Sequence, residues 1–99
     1  MAPSARYTCL AALGLLVGCG PVTYAVDIAA AERAVVVARA SNASYYAPYE
    51  LSFAEAHLEK AREEAAEGAY EDAIDLATAA EAYGRRALDL STRPGSTDR

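Results

Sequence analysis

Residues 68–73, Gly-Ala-Tyr-Glu-Asp-Ala, connect two long alanine-rich segments, and the pairing of these segments sets the predicted architecture. Gly68 suits the left-handed backbone conformation that often follows the last turn of a helix. Glu71 and Asp72 would lie in the first turn of the next helix, where negative charge is favourable for the helix dipole. Because a connection this short places neighbouring helices antiparallel, we predict a helical hairpin around this turn.

Apolar residues on both sides of the turn recur at intervals of three and four, which is the spacing of one helical face. Before the turn, a helix is predicted from about Pro48 to Glu67, because proline fits the first turn of a helix. After the turn, a second helix is predicted from about Tyr70 to Ser91, with Gly84 inside it as a position of close helix contact. The two stripes are Leu51, Ala54, Leu58, Ala61 and Ala65, and then Ala69, Ala73, Leu76, Ala80, Tyr83 and Ala87.

Charged residues on the polar faces of these two helices are spaced for ion pairs. Opposite charges three or four positions apart on a helix lie close enough to interact. The predicted pairs are Lys60 with Glu64, Glu59 with Arg62, and Glu81 with Arg85.

An earlier segment, from about Val26 to Ser41, is predicted to form a third helix that packs across the hairpin. Its apolar face contains Ile28, Ala31, Val35 and Ala38. Residues 42–47 interrupt the pattern, and the residue before Pro48 avoids the helical conformation. The expected fold class is therefore all-α, a small three-helix unit over residues 26–91 built on an antiparallel alanine-rich hairpin. Residues 92–99 are expected to form a disordered tail.

The N-terminal residues 1–18 have the features of a secretory leader that is removed from the mature protein. Arg6 supplies positive charge, and a run of about eleven mostly apolar residues follows it. A spanning helix needs ~20 apolar residues, so this run is too short for a durable transmembrane anchor. A leader of this kind predicts export from the cytoplasm.

Residues 16–19, Leu-Val-Gly-Cys, resemble the lipobox of bacterial lipoproteins. That motif has an aliphatic residue, a tolerant position, a small residue and a cysteine. The resemblance implies cleavage between Gly18 and Cys19, and a diacylglycerol group attached to the Cys19 thiol as a thioether. Residues 19–25 would then be a lipidated tether broken by Gly20 and Pro21. The alternative is an ordinary leader cut elsewhere, with Cys19 incidental.

If the chain is a lipoprotein, its expected location is the bacterial cell envelope, at the periplasmic face of the outer membrane. Gly20 follows the cysteine where some bacteria place an aspartate that retains lipoproteins in the inner membrane. The bilayer, contacted through Cys19, is the expected partner. Cys9 would leave with the leader, so no disulfide joins the two cysteines.

Composition limits both the partners and the core of the mature chain. Without Arg6, eight basic and fourteen acidic side chains remain, a net charge of −6. Nucleic-acid binding needs a basic footprint and is not expected. The chain contains 25 alanines, which bury little area each. Because a core this small supplies only ~3–5 kcal/mol, we expect self-association or a protein partner.

The sequence contains no pattern that predicts catalysis, a cofactor or a metal site. His57 is the single histidine and is expected to be a surface or boundary residue. No nucleophile, base and orienting group are spaced for covalent catalysis, and no small-molecule substrate is evident. Tyrosines are enriched in interfaces. The candidate partner surface is therefore Tyr45, Tyr46, Tyr49 and Tyr70, and the alternative is that these side chains pack against the core.

Two family resemblances bear on these expectations. The turn at residues 68–73 is similar to a tetratricopeptide repeat, in which a glycine, an aromatic two positions on and an alanine three further mark the second helix. Only one such unit is present. Most of the mature chain also resembles a family of short, alanine-rich helical bacterial lipoproteins whose domain has no known function. The residues that carry this resemblance are Ala47-Pro48-Tyr49-Glu50-Leu51, Ala54, Leu58, Ala61, Gly68-Ala69-Tyr70, Ala73 and Ala77.

The resemblances imply an envelope lipoprotein with a helical hairpin and supply no catalytic residues. The expected function is that of a membrane-anchored structural or protein-interaction module. The alternative is a soluble, secreted, tetratricopeptide-like adaptor that binds a peptide or protein partner.

Overall fold

The computed structural model describes the backbone of residues 3–93 and 95, and the side chains of residues 19–93 and 95. Four helices occur in this part of the chain, and no strand does: α1 (Pro3–Ala40), α2 (Ala43–Tyr46), α3 (Pro48–Ala66) and α4 (Tyr70–Thr92). The predicted all-α class is confirmed. α2 is a single short turn inside the connection between α1 and α3. The predicted tail, residues 92–99, lies mostly outside the described residues.

The three long helices run up, down and up. α3 and α4 form the predicted antiparallel hairpin, joined by residues 67–69. α1 is antiparallel to α3, because Arg62 on α3 pairs with Glu32 and Arg39 on α1 pairs with Glu55. α1 therefore runs parallel to α4 and lies along one side of the hairpin.

The core between the helices consists mainly of alanine. Most members of the predicted stripes are buried on the three long helices, while Ile28, Leu76 and Tyr83 of the same stripes are only partly buried. Ala65 and Ala69 are also only partly buried. Val35 is the largest fully buried side chain. Small side chains at a helix interface let the backbones approach closely, so this bundle is held by close helix contact more than by large apolar side chains. The buried apolar residues are Ala31, Val35, Ala38, Ala43, Ala47, Leu51, Ala54, Leu58, Ala61, Ala73, Ala77, Ala80 and Ala87.

Gly84 of α4 is buried where α1 crosses it, which confirms the close contact predicted there. A Cβ atom at residue 84 would lie 3.0 Å from the Cβ of Ala34 and 3.1 Å from its carbonyl carbon. It would also lie 3.3 Å from the backbone nitrogen of Val35. Two of these three neighbours are backbone atoms, so α1 itself would have to shift to admit a side chain.

Gly68 ends α3 in the left-handed conformation, as the sequence predicts. Its φ is +80°, its N–H donates to the carbonyl of Ala65 at 3.0 Å, and the N–H of Ala69 donates to the carbonyl of Glu64 at 2.9 Å. These two bonds define the Schellman motif, which satisfies carbonyls that a helix end leaves without partners. The motif fixes the direction in which the chain enters α4.

We expect Gly68→Ala to lower the free energy of unfolding by about 1 kcal/mol, because an L side chain is strained in the left-handed region. Nothing lies within 4 Å of a Cβ at this position, so the cost comes from the backbone alone. Urea denaturation followed by circular dichroism would measure it. Gly68→Asn is the matched control, since asparagine tolerates this conformation better. Equal losses for both variants would contradict the backbone explanation.

Asn42 ends α1 with the same kind of backbone reversal. Its φ is +60°, a conformation that asparagine adopts more readily than most residues. The reversal starts α2 and turns Ala43 and Ala47 into the core, where they are 0% and 2% exposed. Pro48 then opens α3 as predicted. The break in the apolar pattern at residues 42–47 is thus a compact corner of the core.

The predicted irregular tether at residues 19–25 is wrong in conformation, since α1 continues through Pro21. Gly and Pro disfavour a helix locally, but contacts with α4 compensate here. The ring of Tyr24 lies 6.1 Å from that of Tyr70, centroid to centroid. A Cβ on Gly20 would lie 3.3 Å from the Cβ of Tyr70. Such packing is invisible to a local reading of the sequence, and the helical region begins before the predicted boundary at residue 26.

Two of the three predicted ion pairs are confirmed. Lys60 and Glu64 lie 3.1 Å apart, and Glu81 and Arg85 lie 2.6 Å apart. The pair of Glu59 with Arg62 is wrong, because Arg62 reaches across to Glu32 of α1 at 2.9 Å instead. A carboxylate on the neighbouring helix α1 therefore takes the place of the predicted partner on α3.

Candidate functional site

Cys19 lies in α1 at the end of the bundle where α3 turns into α4. The residue is exposed, and its carbonyl accepts a hydrogen bond from the hydroxyl of Thr23 at 2.9 Å. One residue later, Gly20 packs against Tyr70 at the start of α4. Cys19 therefore joins the packed part of the chain with no intervening loop. Gly18 lies in α1, among residues whose side chains the structure does not describe.

The four tyrosines predicted as one partner surface are not brought together. Tyr70 packs on Tyr24 at the Cys19 end. Tyr45, Tyr46 and Tyr49 lie at the opposite end, around the α1–α3 corner. Tyr83 of α4 stacks on Phe53 of α3, on the side of the bundle towards the corner. It lies thirteen residues after Tyr70, which is ~20 Å at the rise of an α-helix. The correction follows from the topology, because the start of α4 and the start of α3 are at opposite ends of an antiparallel hairpin.

The corner tyrosines differ in exposure. Tyr45 and Tyr49 are 65% and 68% exposed, while Tyr46 is half-buried with its ring edge-on to Tyr45 at 5.0 Å. Side chains that served only to close the core would be covered on more of their surface. Tyr45 and Tyr49 therefore expose most of their surface to solvent.

A ladder of stacked rings continues from the corner along the hairpin. Phe53 stacks on Tyr83 with ring centroids 3.8 Å apart, and on His57 at the same distance. Tyr49 lies 6.3 Å from Phe53. This ladder is not among the predicted features, although Tyr49, Phe53 and His57 follow one another at the i, i+4 spacing of a single helical face.

His57 is a half-buried boundary residue, as predicted. Its Nδ1 lies 2.9 Å from the carbonyl oxygen of Phe53, and because a carbonyl only accepts, Nδ1–H donates. The stacking and this bond fix the imidazole on α3. Within residues 19–93, no group of three His, Cys, Asp or Glu side chains is arranged to hold a metal ion.

Acidic side chains are concentrated around the turn between α3 and α4, and the described part of α1 carries few of them. Six carboxylates flank the turn: Glu63, Glu64, Glu67, Glu71, Asp72 and Asp75. Hydrogen bonds to Glu64 and then Glu63 raise the pKa of Lys60 above its ordinary value. On the described part of α1 the only acids are Asp27 and Glu32, and Glu32 is paired with Arg62. The charge of the bundle is thus carried by the hairpin.

None of the described helices is both long enough and apolar enough to cross a membrane.

The geometry defines a small all-helical bundle with an antiparallel, alanine-lined hairpin. Residues 26–93 match a family described as "Domain of unknown function (DUF4398)", which covers more than half of the chain. The chain therefore belongs to the DUF4398 family. No curated protein and no solved structure matches it. The likeness to a tetratricopeptide repeat stays a prediction.

Proposed function

We propose that this protein is a lipoprotein of the bacterial envelope, anchored through Cys19, that acts as a structural or protein-interaction module without catalysis. Diacylglycerol on Cys19 would supply two acyl chains, and stable anchoring takes more than one. The observation that carries the proposal is the sequence Leu-Val-Gly-Cys at residues 16–19, placed directly after an apolar run. The exposure of Cys19 supports it, because a lipidated thiol must reach the bilayer.

The position of Pro21 gives a second, independent support. A proline inside a helix removes one backbone hydrogen bond and costs ~3 kcal/mol or more. Cleavage before Cys19 would place Pro21 in the first turn of the mature helix, where its missing N–H has no helical partner to lose. A helix that begins at Cys19 therefore accommodates Pro21 without this cost.

Fractionation of cells that produce the unaltered chain tests the proposal. We expect the protein to float with membrane vesicles in a density gradient and to stay with them through a high-salt wash, because the attachment is lipidic rather than ionic. Recovery in the soluble periplasmic fraction would overturn the anchoring proposal. That result would favour a soluble secreted adaptor, the alternative reading of the sequence.

Exposure of Tyr45 and Tyr49 supports a protein partner at the α1–α3 corner. Tyrosine buries a large area at low cost in side-chain entropy, so exposed pairs of this kind suit protein interfaces. The corner lies at the opposite end of the bundle from Cys19. A partner bound there would not compete with the bilayer for the anchored end.

We expect the double variant Tyr45→Ala, Tyr49→Ala to lose a partner that crosslinks to the unaltered chain in intact envelopes. Its free energy of unfolding should change by less than about 1 kcal/mol, because both side chains are mostly exposed. Thr78→Ala is the control, since this exposed residue of α4 bonds only to its own helix. An unchanged set of crosslinks would remove the corner as a partner surface.

A further inference from the structure

α1 has a second apolar face, on the side away from the hairpin. Its residues recur at intervals of three and four, so they share one side of the helix. The buried residues Ala31, Val35 and Ala38 occupy the opposite side. We call this surface the α1 outer face, and it consists of Cys19, Val22, Val26, Ala29, Arg33 and Val36.

Four of the six large hydrophobic side chains that are exposed among the described residues lie on the outer face or beside it. Val22, Val26 and Val36 are 63%, 64% and 59% exposed, and the neighbouring Val37 is 46% exposed. No helix of the bundle covers them. An exposed apolar strip of this length on a small protein indicates contact with another molecule or with lipid.

Cys19 belongs to the same strip of helix surface as the valines. An acyl chain attached to its sulfur would leave the helix on the side where Val22 and Val26 are exposed. A bilayer that holds the acyl chains can therefore contact the valines directly.

The charges favour a lipid surface as the occupant. Arg33 is the one charged residue of the outer face. The two carboxylates that border it, Glu32 and Glu81, are paired with Arg62 and Arg85. The six carboxylates at the hairpin turn would face anionic headgroups if the bundle stood upright on its Cys19 end. If the bundle lies on the outer face, α1 is next to the lipid and the acidic hairpin is on the far side. Anionic headgroups attract nearby basic residues and repel acids, which selects the second orientation.

We propose that the α1 outer face lies on the bilayer surface, so that α1 runs along the membrane and the hairpin faces the periplasm. The proposal rests on the anchoring through Cys19 proposed above. Arg33 extends its guanidinium to lipid phosphates while its methylene groups stay with the valines. The occupant is the headgroup and upper acyl region of a membrane containing anionic lipid.

Tryptophan fluorescence tests this orientation, because the chain contains no tryptophan and each introduced one is a unique reporter. The variants Val26→Trp and Val36→Trp report on the outer face. Ala82→Trp is the control, on an exposed site of α4 about half a turn around the helix from Gly84. Each protein is produced in bacterial cells and reconstituted in vesicles of phosphatidylethanolamine and phosphatidylglycerol with brominated acyl chains.

We expect a blue shift and loss of roughly half the emission for both outer-face variants, because a surface helix sits ~5–10 Å into the headgroup and acyl boundary. The Ala82→Trp chain should emit as it does in buffer. Adding Arg33→Glu to Val26→Trp should abolish the quenching, and adding Arg33→Lys should retain it. Emission of all three reporters as in water would overturn the proposal.

A second copy of the chain on the outer face would give a different result. The emission would shift to the blue without bromine quenching, and the shift would grow with protein concentration. That outcome overturns the lipid contact in favour of self-association.

Failure of the anchor can be separated from failure of the orientation. Flotation of the unaltered chain reports on the anchor alone. If cells do not lipidate the protein, Cys19 of a Cys9→Ser chain is coupled to a maleimide phospholipid and the fluorescence is repeated. Quenching at Val26→Trp in that sample would support contact between the α1 outer face and the bilayer. No quenching in that sample would overturn this contact.

Discussion

Gly84→Val is expected to lower the free energy of unfolding by about 3 kcal/mol, which is most of the stability available to a bundle of this size. The reason is the contact with α1, where a Cβ atom would meet Ala34 at 3.0 Å and the backbone nitrogen of Val35 at 3.3 Å. Backbone atoms of a helix cannot move singly, so α1 as a whole must be displaced from the hairpin. Chemical denaturation followed by far-ultraviolet circular dichroism measures the loss.

Gly84→Ala separates packing from helix propensity. Propensity alone predicts that alanine stabilises the helix by ~1 kcal/mol over glycine. Overpacking opposes this with typically ~1–3 kcal/mol. We expect the overpacking cost to win, leaving a net loss of about 1 kcal/mol, because backbone atoms are among the neighbours.

Two matched variants control for other effects of Gly84 replacement. Ala82→Val changes an exposed position of the same helix and should cost no more than ~0.7 kcal/mol, the propensity difference. Ala34→Gly should restore part of the stability lost in Gly84→Ala, since it removes the nearest Cβ atom. Stabilisation by Gly84→Ala would mean that α1 and α4 do not meet at this residue.

Cys19→Ser is expected to release the protein from membranes almost completely. A serine hydroxyl cannot form the thioether, so the variant lacks the acyl chains that the proposal places on Cys19. The outer-face valines alone would give weak and reversible binding, since stable anchoring takes more than one such signal. Density-gradient flotation of envelopes, with the protein detected by an antibody, measures the floated fraction.

Cys9→Ser is the matched control for Cys19→Ser, because it replaces the other cysteine of the chain. It should leave flotation unchanged. Equal flotation of the unaltered chain and the Cys19→Ser chain would remove Cys19 as the anchor. Equal loss in both variants would point to a defect in export instead of lipidation.

Helical periodicity made most of the fold predictable. The stripes at intervals of three and four were enough to identify the buried faces of all three long helices, because each helix buries only one side. Gly68 marked the end of α3, since few residues other than glycine adopt a φ of +80° at low cost. These features depend only on residues that are close together in the sequence, so one sequence is enough to identify them.

Contacts between helices were harder to predict, because they depend on distances that periodicity does not contain. Arg62 has a carboxylate within reach on its own helix, yet it pairs with Glu32 on α1. Gly20 and Pro21 predict an irregular tether at residues 19–25, yet α1 continues through Pro21 because Gly20 and Tyr24 pack on Tyr70. Local propensity was overridden where tertiary contacts formed.

The candidate surfaces also combine features that the sequence predicts with features that depend on contacts between helices. Exposure of Tyr45 and Tyr49 is compatible with the predicted partner surface, but Tyr70 belongs to the other end of the bundle. The outer face of α1 follows from the sequence only when it is known which side of α1 is buried. Val22, Val26 and Val36 were therefore not predicted as exposed.

The intact mass of the protein purified from membranes tests the central claim most directly. We predict a chain that begins at Cys19 and carries the added mass of a diacylglycerol group, located on that residue by fragmentation. A mature chain with an unmodified thiol at Cys19, or one that begins at another residue, would contradict the lipid anchor on which the proposed function depends.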